Sequence, residues 1–130
     1  MNVPSQTASM VMLQALATYL DRGSANATLT FYDNTKPASV SINADNSAKL
    51  LTLNLPEPCI KSVHENNIEL FASNVGVAIK TGTATWARLF NGEGVAVVDV
   101  AMETDIVLDN YNIVIGSSVK LDVIYLSPQL

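Results

Sequence analysis

The sequence predicts a mainly β protein: a single antiparallel β-sandwich or barrel of about eight to nine short strands, with one N-terminal amphipathic helix. Three observations predict it. Short segments alternate apolar and polar side chains with period two, at spacings near ten residues. Glycine, proline and asparagine punctuate them. The stretch from Gly82 to Ala101, GTATWARLFNGEGVAVVDVA, reads as two strands around a tight turn and holds the sole tryptophan.

The helix is expected over about 7–22. Ala8, Val11, Met12, Ala15, Leu16, Tyr19 and Leu20 follow the i, i+3, i+4, i+7 pattern of a core-facing stripe, and Met10, Leu13 and Ala17 broaden it. Ser5 or Thr7 can cap its start, and Gly23 can end it in the left-handed region. Such a helix lies across a sheet or docks a partner. Strands then run over about 28–126. Leu29 and Phe31 alternate with Thr28, Thr30 and Tyr32, and Asn34-Thr35-Lys36-Pro37 turns the chain. Leu51, Leu53 and Leu55 share one face of the next strand, opposite Leu50, Thr52 and Asn54.

Pro56-Glu57-Pro58 breaks that strand, and Cys59 to Asn67 reads as an irregular crossing. Ile68 to Ala72 and Val75 to Thr81 read as strands. In the central hairpin, Thr83 to Phe90 and Val95 to Ala101 carry β-formers, with Asn91-Gly92-Glu93-Gly94 between them. Ile106 to Leu108 and Asn112 to Ile115 flank a turn at Asp109-Asn110, and Gly116-Ser117-Ser118 turns again. Val119, Leu121, Val123 and Tyr125 alternate in a last strand against Lys120, Asp122 and Ile124. One domain spans 1–130.

Composition narrows the function classes. Hydrophobic residues make up 48% and charged ones 15% of 130 residues, which argues against disorder and leaves much of the surface to Ser, Thr and Asn. Net charge is −5, and no two of the seven Lys and Arg are adjacent, so neither nucleic acid nor an anionic membrane surface is an expected partner. With one cysteine and one histidine, no intramolecular disulfide or cysteine-based metal site is expected. The start, MNVPSQTASM, lacks a basic n-region, and no apolar run reaches the roughly 18 residues of a membrane span. Assembly in a cytoplasm is the expectation.

Candidate sites are few. His64 and Glu65, with Ser62 nearby, are the obvious acid–base group, and a hydrolase would have to rest on His64; nothing like a nucleophile elbow surrounds it, so solvated loop residues are expected. Cys59 reads as a small, semi-buried hydrophobe. Asp99, Glu103, Asp105 and Asp109 lack the central glycine of a calcium loop and read as an acidic rim. Asn26-Ala27-Thr28 matches a glycosylation sequon by chance. Trp86, Arg88 and Phe90 share one face of their strand, and with Tyr19 they are the candidate interface residues or core anchors; the core reading places Trp86 inside and pairs Arg88 at a sheet edge. No catalytic residue, metal or cofactor is assigned.

Several matched pieces keep a common order: Asp21-Arg22-Gly23-Ser24, Thr35-Lys36-Pro37-Ala38-Ser39, the strand from Leu50 to Pro58, Gly82-Thr83-Ala84-Thr85-Trp86-Ala87-Arg88, and Ile113-Val114-Ile115-Gly116-Ser117-Ser118-Val119. From about Met12 to Leu126 the chain resembles a family of small tailed-bacteriophage and prophage virion proteins. It departs at Asn91-Gly92-Glu93-Gly94, where members often carry an aspartate-rich turn, and over Ile60 to Asn67. The resemblance implies a non-enzymatic virion structural protein, a homo-oligomer of many copies packed against itself and other virion proteins with closed symmetry. It would decorate the head or sit in the tail, collar or fibre attachment. A carbohydrate- or receptor-binding module on a fibre is the alternative, favoured if Trp86 is solvent-exposed near Tyr32, Tyr111 or Tyr125.

Overall fold

The computed structural model describes residues 5–64, 67–102, 106, 108, 110–121 and 124–126. Helix α1 is Gln6–Leu20. The strands are β1 Thr28–Tyr32, β2 Lys49–Asn54, β3 Ile60–Val63, β4 Ile68–Leu70, β5 Gly76–Val77 and β6 Gly82–Thr83. They continue as β7 Trp86–Phe90, β8 Ala96–Ala101, β9 Asn112–Ile113, β10 Ser118–Val119 and β11 Ile124–Leu126. The chain is mainly β, one helix on antiparallel sheets, with the expected strands divided into more and shorter pieces.

A four-stranded sheet in the order β2-β1-β7-β8 is the frame. Leu29 and Phe31 project from one face of β1, flanked by Leu53 and Leu51 of β2 and by Leu89 and Ala87 of β7. All are buried in one apolar core. The three-stranded sheet β11-β4-β3 supplies Ile68, Leu70, Ile124 and Leu126 to that same core, giving a sandwich-like pair of layers. Each such side chain contributes about 1.5–3 kcal/mol through burial. Leu50, expected on the opposite face from Leu51, is buried as well. Ile79 donates its amide to the Leu50 carbonyl, so chain 74–79 covers the flank of β2.

That covering is close because position 76 is glycine. A Cβ on Gly76 would lie 2.6 Å from the Thr52 carbonyl oxygen and 2.7 Å from Leu53 Cδ2. Beyond it, 76–84 and 111–119 form one interrupted antiparallel ladder. Gly76 and Val77 pair with Val119 and Ser118, and Gly82 and Thr83 pair with Ile113 and Asn112. The Ala78 and Ala84 amides donate to Ser117 and Tyr111 in the intervals. The turn is at Ile115-Gly116, with Gly116 at φ +84°, so Ser118 lies in a strand.

The hairpin forms as its turn chemistry dictates. Asn91 Oδ1 accepts from the amides of Glu93 and Val95, and Gly94 takes φ +83°. Its tip docks on the linker after α1: a Cβ on Gly92 would overlap the carbonyl oxygens of Ala25 and Arg22, and Arg22 pairs with Glu93 at 3.0 Å.

The helix departs from expectation in its phase. Ser5 caps it, accepting from the Ala8 amide, and Gly23 follows its end at φ +112°. The side chains turned inward are Met10, Leu13, Ala17 and Leu20, with Ser9. Of the expected stripe, Leu20 is buried and Leu16 packs against the core, whereas Ala8, Val11, Met12, Ala15 and Tyr19 face outward, with Val11 62% and Met12 63% exposed; Met10, Leu13 and Ala17, expected only to broaden the stripe, form its centre. The helix is apolar on two sides, and the sheet takes the one that fits between Cys59 and the leucines.

Three other segments differ. Ile60–Val63 is a strand within the expected crossing, because it pairs with β4. The last strand is two, in different sheets: β10 pairs with β5 and β11 with β4, so Ile124 and Leu126 are buried while Tyr125 is exposed. Ser73 holds that corner, its amide donating to the Leu121 carbonyl and its hydroxyl accepting from the Leu121 amide. Ile106 makes one parallel bridge to Met102 rather than beginning a strand. Val107, Asp109, Asp122 and Val123 lie outside the described residues.

Cys59 ties the helix to β3. Its amide donates to Asp21 Oδ1 at 2.9 Å, its Sγ lies 3.6 Å from the Ala17 carbonyl oxygen, and the residue is fully buried. Burial first, then the Asp21 carboxylate, pushes the thiol up to about 12. The unfolded thiol ionises near 9, so stability is unaffected below that pH and falls between 9 and 12, where only the unfolded state loses the proton. Denaturant unfolding should give the same pH dependence for the native chain and Cys59→Ala up to about pH 9, and from there to pH 11 the native chain should lose up to about 1.4 kcal/mol per pH unit more. Parallel slopes in the two proteins would contradict this burial.

Candidate functional site

The face of the four-stranded sheet turned away from the leucine core carries the sequence-predicted residues. Tyr32 and Trp86 are cross-strand partners, stacked with centroids 4.4 Å apart and planes 16° apart. Trp86 is fully buried, and its Nε1–H donates to Asn34 Oδ1 at 2.7 Å. Ala44 and Ala48, from the connection between β1 and β2, pack against this pair. Burial raises the Tyr32 hydroxyl above its ordinary range.

Next along β7, Arg88 sits 2% exposed with its guanidinium carbon 5.3 Å from the Trp86 ring centroid. Its Nε and Nη2 donate to the two carboxylate oxygens of Asp99, at 2.6 and 3.1 Å. The Asp99 hydrogen bond raises the guanidinium pKa further. The row continues as Thr30, opposite Arg88 on β1, and Thr52 on β2, whose hydroxyls lie 3.1 Å apart. Two expectations are corrected. Arg88 pairs from an interior strand rather than a sheet edge, and Asp99 is a buried ion-pair partner rather than part of an acidic rim. Glu103, Asp105 and Asp109, the rest of that rim, lie outside the described residues.

Trp86 and Arg88 are therefore core anchors, and the buried indole offers no platform to a ligand. Phe90, at the end of β7, is half-buried. Tyr19 sits on the outer side of α1, where it lines a shallow hollow with Ala15, Thr18, Asp21 and Arg22.

A second polar cluster lies on the outer face of the three-stranded sheet. Ser62 and Glu69 are cross-strand partners, and His64 Nε2 is 3.1 Å from both Ser62 Oγ and Glu69 Oε1. Lys61 Nζ lies 3.4 Å from Glu69 Oε2, and the Tyr125 ring is 6.3 Å from the imidazole. The His64 hydrogen bond, then Lys61, holds the Glu69 carboxyl below the usual range. A nucleophile–base–orienter relay needs the hydroxyl and the carboxylate on opposite ring nitrogens. Here both lie on Nε2, so the carboxylate competes with the hydroxyl instead of orienting the ring. Glu65 lies outside the described residues. Among the described residues, no group of three or more His, Cys, Asp and Glu is placed to hold a metal ion.

The third feature is apolar. Gly76 and Ala78 face inward, so Val75, Val77 and Ile79 alternate outward, and Val114 and Ile115, between β9 and the Gly116 turn, are exposed beside them; all five are 56–62% exposed, and the exposed Lys120 stands across from Val75. Lys80 is the one charged residue in 75–84 and 111–119, and it is drawn to Asp33 Oδ2 at 2.8 Å and the Ser47 carbonyl at 2.9 Å. Sequence reading took Val75–Thr81 as a strand without seeing that its outer side would be left uncovered. The alternation of Val75, Val77 and Ile79 with Gly76 and Ala78 was the available signal: small residues inside, large ones outside.

Compared with known proteins, the chain matches no family model, no curated protein and no solved structure. No described helix is long and apolar enough to cross a membrane.

The buried ion pair makes a definite prediction. Arg88→Met leaves the Asp99 carboxylate unpaired and should cost about 3–5 kcal/mol in denaturant unfolding, while Arg88→Met with Asp99→Leu should recover most of it. A single variant as stable as the native chain would contradict the geometry.

Proposed function

We propose that this protein is a non-enzymatic structural subunit that works by binding further copies of itself, as a virion component of a tailed bacteriophage. One observation carries the reading: the outward apolar row of Val75, Val77 and Ile79, extended by the exposed Val114 and Ile115 beside the Gly116 turn, with Lys120 across from Val75 as the charge at its edge. Contiguous apolar surface of this kind is a liability on a free monomer and is stabilising once a neighbour covers it. Five such side chains offer on the order of 300 Å² of apolar area at about 25 cal/mol per Å², a large part of the apolar share of a standard half-interface. The resemblance to small tailed-phage virion proteins supports the same reading and supplies its biological setting on the head, tail, collar or fibre attachment. The buried Trp86 removes the platform on which a glycan-binding module would have rested.

The test is direct. Sedimentation velocity over a concentration series should show species heavier than the 13.9 kDa chain, and Val77→Glu with Ile79→Glu should return the protein to monomer with the thermal midpoint of the native chain at dilutions where that chain is itself monomeric. A native chain that stays monomeric throughout, or a double variant that assembles normally, would overturn the proposal.

A further inference from the structure

The hairpin tip carries chemistry that the fold holds in check. Asn91-Gly92 is the one Asn-Gly pair in the chain. In such a pair the glycine nitrogen attacks the asparagine Cγ readily, because no Cβ on the following residue hinders its approach. The N–Cγ bond forms, the Cγ–Nδ2 bond breaks, and Nδ2 leaves as ammonia. Water then opens the succinimide at either carbonyl, leaving aspartate or iso-aspartate in the chain.

We infer that Asn91 is a deamidation site gated by the docking of the hairpin tip on the linker after α1. Three features hold the closed tip unreactive. Asn91 is 2% exposed and its Oδ1 accepts from the Glu93 and Val95 amides at 3.0 Å, which fixes the side chain over the turn and away from Gly92. The Gly92 peptide has no room to turn toward it. A Cβ on Gly23 would lie 2.5 Å from the Gly92 carbonyl carbon and 2.7 Å from the Glu93 nitrogen, and one on Gly92 would overlap the Ala25 carbonyl. Nδ2 is itself buried, so bulk water does not reach it to protonate the departing nitrogen. A fourth feature favours opening. Nδ2 finds no hydrogen-bond partner among the described residues, a cost that exposing the tip to water removes. The Arg22–Glu93 pair across the contact is exposed on both sides and restrains the tip only weakly. Opening therefore parts 91–95 from 22–25 and leaves the leucine core in place. Iso-aspartate then adds a backbone methylene to a turn packed glycine against glycine, and the tip no longer recloses on the linker.

Tryptic cleavage after Arg88 and Lys120 isolates Asn91 in one peptide, where fragment masses read its conversion to acid apart from that of Asn110 and Asn112. At mildly alkaline pH the native chain should convert Asn91 at least about tenfold more slowly than the same chain in concentrated urea. Gly23→Ala, whose new Cβ pushes the tip off the linker, should raise the rate in the folded chain toward the urea value and leave Asn110 and Asn112 unchanged. A second measurement needs no variant. Across urea concentrations below the unfolding transition, loss of Asn91 should rise in step with hydrogen exchange of the Glu93 and Val95 amides, the two that its Oδ1 holds. A native rate equal to that in concentrated urea would overturn the inference, because the amides would then not restrain Cγ. So would a folded Gly23→Ala chain that converts Asn91 at the native rate, or conversion that stays flat while those two amides exchange faster.

Discussion

Strand β1 has almost no side open to water. Its residues Leu29, Thr30, Phe31 and Tyr32 are all buried, alternate ones on opposite faces of the sheet. A sheet covered on both faces has to satisfy its polar groups internally, because an isolated buried charge or amide costs several kcal/mol. That constraint explains the second face in detail. Arg88 is tolerated because Asp99 takes two of its N–H groups, Trp86 because Asn34 accepts its indole N–H, and Thr30 because Thr52 lies within hydrogen-bond reach. It also explains the long excursion between β1 and β2, which brings Asn34, Ala44 and Ala48 over the Tyr32–Trp86 stack.

The same frame fixes what is left over. With both faces of β1 and β7 occupied and the flank of β2 closed by Gly76, the helix and the 75–84/111–119 ladder are outer layers. Each buries one side and presents the other. In both, the presented side is largely apolar.

The parts of the fold that could be read in the sequence were those with local signals. Asn91-Gly92-Glu93-Gly94 between β-formers specified a hairpin, but counting outward from the Phe90–Ala96 pair at that turn sets Arg88 opposite Val98; a bulge between Leu89 and Phe90 shifts it to Asp99, so the ion pair was not legible. The helix was placed correctly, and Leu20 of its expected stripe is buried, but the buried face centres on Met10, Leu13 and Ala17 rather than on Val11, Met12 and Ala15. Met10, Val11, Met12 and Leu13 are apolar in succession, so two stripes compete, and only the surface beneath decides between them. Strand β3 was hidden because Lys61, Ser62 and His64 make a polar stretch, and its pairing with β4 depends on a partner rather than on its own composition. The break between β10 and β11 was invisible for a similar reason: it is set by the bonds of Ser73 to Leu121, a contact across 48 residues.

The central proposal is that the apolar outer row of the 75–84 and 111–119 ladder is covered by other copies of the chain. Amide hydrogen exchange, followed on the native protein from dilute to concentrated solution, tests it most directly. Protection should rise with concentration in 75–84 and 111–119, while β1 and β7, already buried on both sides, stay constant. Exchange in those outer segments that does not change with concentration would contradict the account.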